Sequence, residues 1–233
     1  MKIIALGDTH GRKIWEDITK KELDSDKIVF LGDFFDTHDD ETPQQQIENF
    51  EKIIEFKKLY PEKVVLLLGN HDFHYISGVY ETYSGFNPYY CKEIGALLDN
   101  AIENNLIQIC FKHDKYVFTH AGVTKTWARS VSIDIKDVNY LDKYINEVFI
   151  KERILFGFTM GEFRSYSGDD VTQTPIWVRL GSLEHDIYPN IVCVVGHTPQ
   201  RNIFISDKII AIDTLGESGE YLIIENNIPK IGE

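Results

Sequence analysis

Four short apolar runs punctuate this chain, and each stops at a glycine followed by a polar residue. Residues 2–6, 27–31, 64–68 and 191–195 are dominated by Ile, Val, Leu, Phe and Ala, the pattern of strands buried on both faces. Residues 13–23, 43–60 and 91–104 carry helical spacing between them. In the second of these, Ile47, Phe50, Ile53 and Ile54 recur at helical intervals. Thr42 and Pro43 stand where a cap and a first helical residue belong, and Tyr60-Pro61 ends the run. Residues 106–111 and 116–119 predict two strands joined by the polar turn 112–115. A helical stretch near 135–156 and a loop at 157–174 rich in Gly, Ser, Asp and Thr precede further strand signals at 203–205, 208–212 and 220–224. Strands alternating with helices predict an α/β fold. With no internal repeat or low-complexity linker, residues 1–233 read as one domain, and a loop as long as 157–174 inside it predicts a lid or a substrate-binding wall.

The strand ends carry the chemistry. The four runs finish at Gly7-Asp8, Gly32-Asp33, Gly69-Asn70 and Gly196-His197, and the strand at 116–119 finishes at Thr119-His120. Open α/β sheets bind ligands at the carboxyl ends of their strands. Asp8, His10, Asp33, Asn70, His71, Asp72, His120 and His197 are therefore expected together on one edge. Each alone is an ordinary turn residue or core histidine; five such ends in one chain make a site. Carboxylate, imidazole and amide donors without thiolate suit manganese, iron or zinc.

Composition narrows the setting. With 43% hydrophobic and 26% charged residues the chain is neither disordered nor fibrous. Its 24 basic and 37 acidic residues leave a net charge of −13, which disfavours duplex nucleic acid as a partner. Cys91, Cys110 and Cys193 are odd in number and lack a CxxC pair, which points to a reducing compartment rather than a disulfide framework. The first apolar run is too short for a signal peptide, and no run approaches the ~18 residues of a membrane span. A cytoplasmic protein is expected, in the host cytoplasm were it phage-encoded. The sequence does not give its oligomeric state.

The motifs GDTHG at 7–11, GDFFD at 32–36, GNHD at 69–72, HAG at 120–122 and GHTP at 196–199 resemble, in this order, the five motifs of calcineurin-like metallophosphoesterases. They span nearly the whole chain, and HAG with GHTP is similar to the branch of phosphoprotein phosphatases and symmetrical dinucleoside-tetraphosphate hydrolases. The resemblance implies a four-layer α/β sandwich, two facing mixed sheets flanked by helices. It implies two divalent ions per chain, manganese first, with iron or zinc as alternatives. By position, Asp8, His10 and Asp33 would hold one ion, and Asp33, Asn70, His120 and His197 the other, with Asp33 bridging. His71 would protonate the leaving group and Asp72 would orient it, leaving Asp36 to orient a ligand histidine or cap its turn. The implied reaction is hydrolysis of a phosphoester in a phosphorylated substrate. A phosphomonoester such as a phosphoprotein comes first, a nucleotide or dinucleoside polyphosphate second, and a non-catalytic scaffold of the same fold is the remote alternative.

One departure stands out. That branch usually continues the second motif as GDxxDRG, whereas this chain reads GDFFDTHDD, so the arginine that grips phosphate is missing. Arg179, in PIWVRLGSL, lies in a segment similar to the WxR stretch of related bacterial and phage enzymes and is the expected replacement; Arg12 is the second choice. A guanidinium fork suits phosphate oxygens. The aromatic group Phe73, His74, Tyr75, Tyr80, Tyr83, Phe86, Tyr89 and Tyr90 offers either a stacking wall for a substrate or a packed loop. His38, beside Asp39 and Asp40, reads as part of a solvated acidic loop, and the cysteines as core residues.

Overall fold

The computed structural model describes residues 1–37, 39–131, 138–161 and 166–233; His38, the start of the stretch expected to be helical and part of the 157–174 loop lie outside these. Lys2–Leu6 forms β1, Ile14–Lys21 α1, Lys27–Phe30 β2, Pro43–Leu59 α2 and Val64–Leu67 β3. A single turn, α3 (Asn70–Phe73), follows, then α4 (Cys91–Glu103), β4 (Ile107–Gln108), β5 (Cys110–His113) and β6 (Tyr116–Thr119). The remainder comprises α5 (Lys125–Ser130), α6 (Leu141–Lys151), α7 (Leu180–Asp186), β7 (Val192–Val195), β8 (Phe204–Ile205), β9 (Ile209–Ala211), β10 (Tyr221–Glu225) and β11 (Ile228–Gly232). The start of α2 follows from its sequence. Thr42 Oγ1 accepts from the Gln45 amide, the Gln45 side chain accepts from the Thr42 amide, and Pro43 opens the first turn.

Two mixed sheets result, one ordered β11-β10-β1-β2-β3-β4 and the other β5-β6-β7-β9-β8. Alternate residues divide the core. Ile3, Ala5, Val29, Leu31, Val65 and Leu67 form one buried layer with Tyr116, Phe118, Val192, Val194 and Ile210 of the second sheet. Ile4, Leu6, Ile28, Phe30 and Leu66 instead join Trp15, Phe50, Ile53 and Leu98 from the helices. Both faces of the central strands are thus covered, which is why they read as unbroken apolar runs.

The strand expected at 106–111 is in fact two. Ile107–Gln108 pairs with β3 in the first sheet, and Cys110–His113 pairs with β6 in the second. At the break the amides of Ile109 and Cys110 both donate to Asn146 Oδ1, and Asn146 Nδ2 donates to the Cys110 carbonyl. A side chain from α6 satisfies the backbone where the chain passes between sheets, an arrangement that apolar periodicity does not reveal.

Register aligns the strand ends. Leu6 lies opposite Phe30 and Phe30 opposite Leu66; in the other sheet Phe118 lies opposite Val194, and Val195 opposite Ala211. The loops after β1, β2, β3, β6, β7 and β9 therefore leave the two sheets along one edge. Among the described residues no helix is long and apolar enough to cross a membrane.

Candidate metal centre and proton donor

The loops at this edge are held in costly conformations. His10 (φ 44°), Asp33 (φ 51°), Asp36 (φ 61°) and His197 (φ 63°) all adopt left-handed backbone, which non-glycine residues mostly avoid. A Cβ on Gly32 (φ +100°) would lie 2.4 Å from the Gly69 amide nitrogen, and one on Gly69 would lie 2.0 Å from Asp33 Oδ1. Two loops can touch here only because neither residue has a side chain.

The contact gathers the expected donors. Asp8, Asp33 and His120 present ligand atoms all within 4.8 Å of one another. His120 Nε2 lies 3.3 Å and His10 Nε2 3.8 Å from Asp33 Oδ2. Asn70 Oδ1 lies 2.9 Å from both His120 Nε2 and His197 Nδ1. Each imidazole is turned by a carbonyl at its other nitrogen: His10 Nδ1 to Phe35 O (2.7 Å), His120 Nδ1 to Leu31 O (2.9 Å) and His197 Nε2 to Trp177 O (3.0 Å). A carbonyl can only accept, so those nitrogens carry the protons and the lone pairs of the others face inward. Asn70 Oδ1 then confronts two lone pairs. A turned amide, a proton on His120 Nε2 or a cation relieves that: burial acts to lower the His120 pKa, but Asp33 outweighs it and raises it. A cation also answers the two buried carboxylates. The donor set fits divalent ions.

Electrostatics point the same way. Burial, reinforced by the charges of Asp213 and Asp33, raises the Asp8 pKa well above the usual range. Burial also acts to raise Asp33, but His120, His71 and His10 outweigh it and hold it well below normal. Burial lowers both His10 and His197, keeping them neutral as ligands must be. Asp213, two residues beyond β9, is pushed up to about 6 by burial and then by Asp33. The sequence reading passed over Asp213, although the strand-end rule that found the others applies to it equally.

His71 stands beside this centre, with its amide donating to Asp33 Oδ1 at 2.9 Å. Its expected orienting partner needs correction. Both Asp72 oxygens are committed to backbone, accepting from Phe34 N (2.8 Å) and Gly69 N (3.0 Å), so Asp72 clamps the second and third motif loops together. Asp36 Oδ2 is the carboxylate at the His71 ring, 3.0 Å from Nδ1. Burial acts to lower the His71 pKa, but the charge of Asp33 and the Asp36 hydrogen bond push it up to about 9. Burial and then Asp33 raise Asp72 to about 7.

The two arginines part company. Arg179, half-buried at the start of α7, donates from Nη1 to the His197 carbonyl (2.9 Å) and from Nε to the Ser167 carbonyl (3.1 Å). Arg12 Nε is taken by Asp39 at 2.6 Å, an ion pair of the second-choice arginine with the acidic loop. The aromatic group divides as well. Tyr80 and Tyr89 are 93% and 92% exposed, while Phe73, His74 and Tyr75 are buried. Tyr83 and Phe158 both pack edge-on against Trp177, at 4.4 and 5.0 Å between ring centres, and Trp177 packs on His197. Glu81 ties the two loops by accepting from the Phe158 amide. The aromatic packing beside His197 is thus built from Tyr83, Phe158 and Trp177 rather than from the outer tyrosines.

Comparison with known proteins matches residues 1–201 to the family described as calcineurin-like phosphoesterase. A probable serine/threonine-protein phosphatase of Encephalitozoon cuniculi (strain GB-M1) is 28% identical over 127 residues, 52% of this chain and 26% of that protein. The chain thus spans about a quarter of that relative's length. Among solved structures, a cold-active protein-tyrosine phosphatase of a psychrophilic Shewanella species superposes with a TM-score of 0.57 at 23% identity, covering 99% of this chain and 77% of that one. A protein serine/threonine phosphatase from Saccharomyces cerevisiae also gives 0.57, at 12% identity, covering 100% of this chain and 79% of its own. These two likenesses show the shared fold.

Proposed function

This chain belongs to the calcineurin-like phosphoesterases, and from that premise we propose that it is a manganese-dependent phosphomonoesterase acting on phosphorylated protein. It is a hydrolase of phosphoric esters with a binuclear metal fold. The observation that supports the metal-dependent reading is the convergence of Asp8, His10, Asp33, Asn70, His120 and His197 beside His71 on a single sheet edge. Asp8, His10 and Asp33 would hold one ion, and Asp33, Asn70, His120 and His197 the other. Bound divalent ions supply a water acidic enough to act at neutral pH and offset charge on phosphoryl oxygens. The chain's own groups do the rest. His71, protonated and oriented by Asp36, gives its proton to the departing alkoxide oxygen. Asp72 holds the loop that carries His71 against the loop that carries Asp33. The Tyr83–Phe158–Trp177 wall excludes water from one side of the substrate.

We also assign phosphate binding to Arg179, through guanidinium donors that its two backbone acceptors leave over. Replacing Arg179 by Ala should raise KM for a phosphopeptide and lower kcat by about 10–100-fold, equivalent to ~1.4–2.7 kcal/mol. Arg179→Lys should recover only part. An unchanged KM and kcat would remove Arg179 from the site. The substrate is tested by screening the manganese-reconstituted protein against phosphopeptides, mononucleotides and dinucleoside polyphosphates. Preferred turnover of phosphopeptides supports the proposal, and preference for a polyphosphate overturns it.

A further inference from the structure

Asp36 serves more than His71. His74 Nε2 lies 2.7 Å from the same Asp36 oxygen that faces His71, at ion-pair distance but without the geometry of a hydrogen bond, and Tyr75 Oη donates to the other oxygen at 2.6 Å. His74 is fully enclosed. Its ring stacks on Tyr83 (5.2 Å, 15° between planes) and meets Tyr75 and Phe86 edge-on. The ligand atoms of Asp36, His71 and His74 also lie within 4.8 Å of one another, close enough for a cation. The other nitrogen of His74 decides between the two uses. The Tyr83 amide donates to His74 Nδ1 at 3.1 Å, so Nδ1 carries no proton and the ring's proton sits on Nε2, facing Asp36. A protonated nitrogen is a donor and not a metal ligand.

We propose that His74 is a positioning residue for phosphoester cleavage, fixing Asp36 and through it the orientation of His71. The inference rests on His71 being the proton donor. A free carboxylate can rotate about its last bond, and the His71 ring would follow it. Asp36 is instead flanked at one oxygen by the His71 hydrogen bond and the close His74 contact, and held at the other by Tyr75, whose hydroxyl is itself fixed by the Asn87 amide at 2.8 Å. His74 cannot turn to release its contact, because Tyr83 holds the opposite nitrogen. The wall residue Tyr83 is thereby linked to the proton donor: anything that shifts Tyr83 shifts His74, then Asp36, then His71.

The test uses the full chain loaded with manganese and two substrates. Phenyl phosphate releases an alcohol with a pKa of about 10, as for a tyrosine side chain, and needs a proton; para-nitrophenyl phosphate releases an anion that does not. His74→Phe should lower kcat on phenyl phosphate by about tenfold, a fraction of the 10²–10⁴ that general acid catalysis supplies. It should change kcat on para-nitrophenyl phosphate by less than about twofold and leave KM on both unchanged. His74→Gln places its amide near the Nε2 position and should recover the loss, whereas His74→Asn reaches only the Nδ1 position and should not. Recovery by Asn and not by Gln would make the bond to Tyr83 the important one and overturn the proposal. So would equal losses on both substrates. If His74→Phe does not fold, the Gln and Asn variants decide alone. His71→Ala run beside them separates the readings. If it shows no leaving-group preference, the proton-donor assignment falls and takes this proposal with it; if it does while His74→Phe shows none, only the role of His74 falls.

Discussion

Replacing Asp33 by asparagine is expected to strip the protein of bound metal and to lower kcat/KM by about 10³-fold, roughly the loss of 4 kcal/mol of charge stabilisation. Asp33 touches donors of both proposed ion sets: His10 Nε2 at 3.8 Å and His120 Nε2 at 3.3 Å face its Oδ2. Its other oxygen accepts the amide of His71, so the same side chain fixes the backbone of the proposed proton donor. Asparagine keeps the shape and one accepting oxygen, and therefore the loop. It removes the charge, and a neutral amide between two cations leaves them repelling one another. Asn70→Ala and His197→Ala each remove a donor from one ion only and should cost less. Elemental analysis after gel filtration, with kinetics on para-nitrophenyl phosphate, checks all three. Asp33→Asn with full metal content and activity within about tenfold of the parent would refute the bridging assignment. A circular dichroism spectrum matching the parent guards against a trivial failure to fold.

The positions of the donors were legible because of one physical regularity. Parallel strands buried on both faces must be apolar throughout, so the first polar residue after each run marks where the strand leaves the core. Asp8, Asp33, Asn70, His120 and His197 are those residues or their immediate neighbours, and register then brings them side by side. What the sequence hid lies in contacts between separate segments. Asp72 follows His71 and seemed its natural partner, but in the single turn α3 its side chain points back to the Gly69 amide. Asp36 reaches the ring because its own left-handed backbone (φ 61°) re-aims it, and nothing local announces that conformation for a non-glycine residue. The helices α5 and α7 were missed because at six and seven residues they are too short to establish a period; Thr124, which caps α5 through the Trp127 amide, was the available clue.

The second large effect concerns His71 itself. His71→Ala should lower kcat for a phosphoserine peptide by about 10²-fold or more, with a smaller loss for para-nitrophenyl phosphate and with metal content retained. The asymmetry follows from where the proton goes. A serine alkoxide cannot leave at neutral pH unless its oxygen is protonated as the bond to phosphorus breaks, whereas nitrophenolate is stable as the anion. The pH dependence has a definite sign. His71 donates only while protonated, and the charge of Asp33 together with the Asp36 hydrogen bond overcomes burial to raise its pKa to about 9. Turnover of the phosphopeptide should therefore be supported at neutral pH and fall as pH rises through that value. Cations bound at Asp33 take away part of the negative charge that holds the proton, so in the loaded enzyme the fall should begin below pH 9. His71→Ala should lack this alkaline limb altogether, while His71→Asn, which keeps a donor near the Nδ1 position for Asp36 but offers no acid, should behave like Ala. Equal losses on both substrates, or an alkaline limb that survives in His71→Ala, would mean that the proton comes from elsewhere.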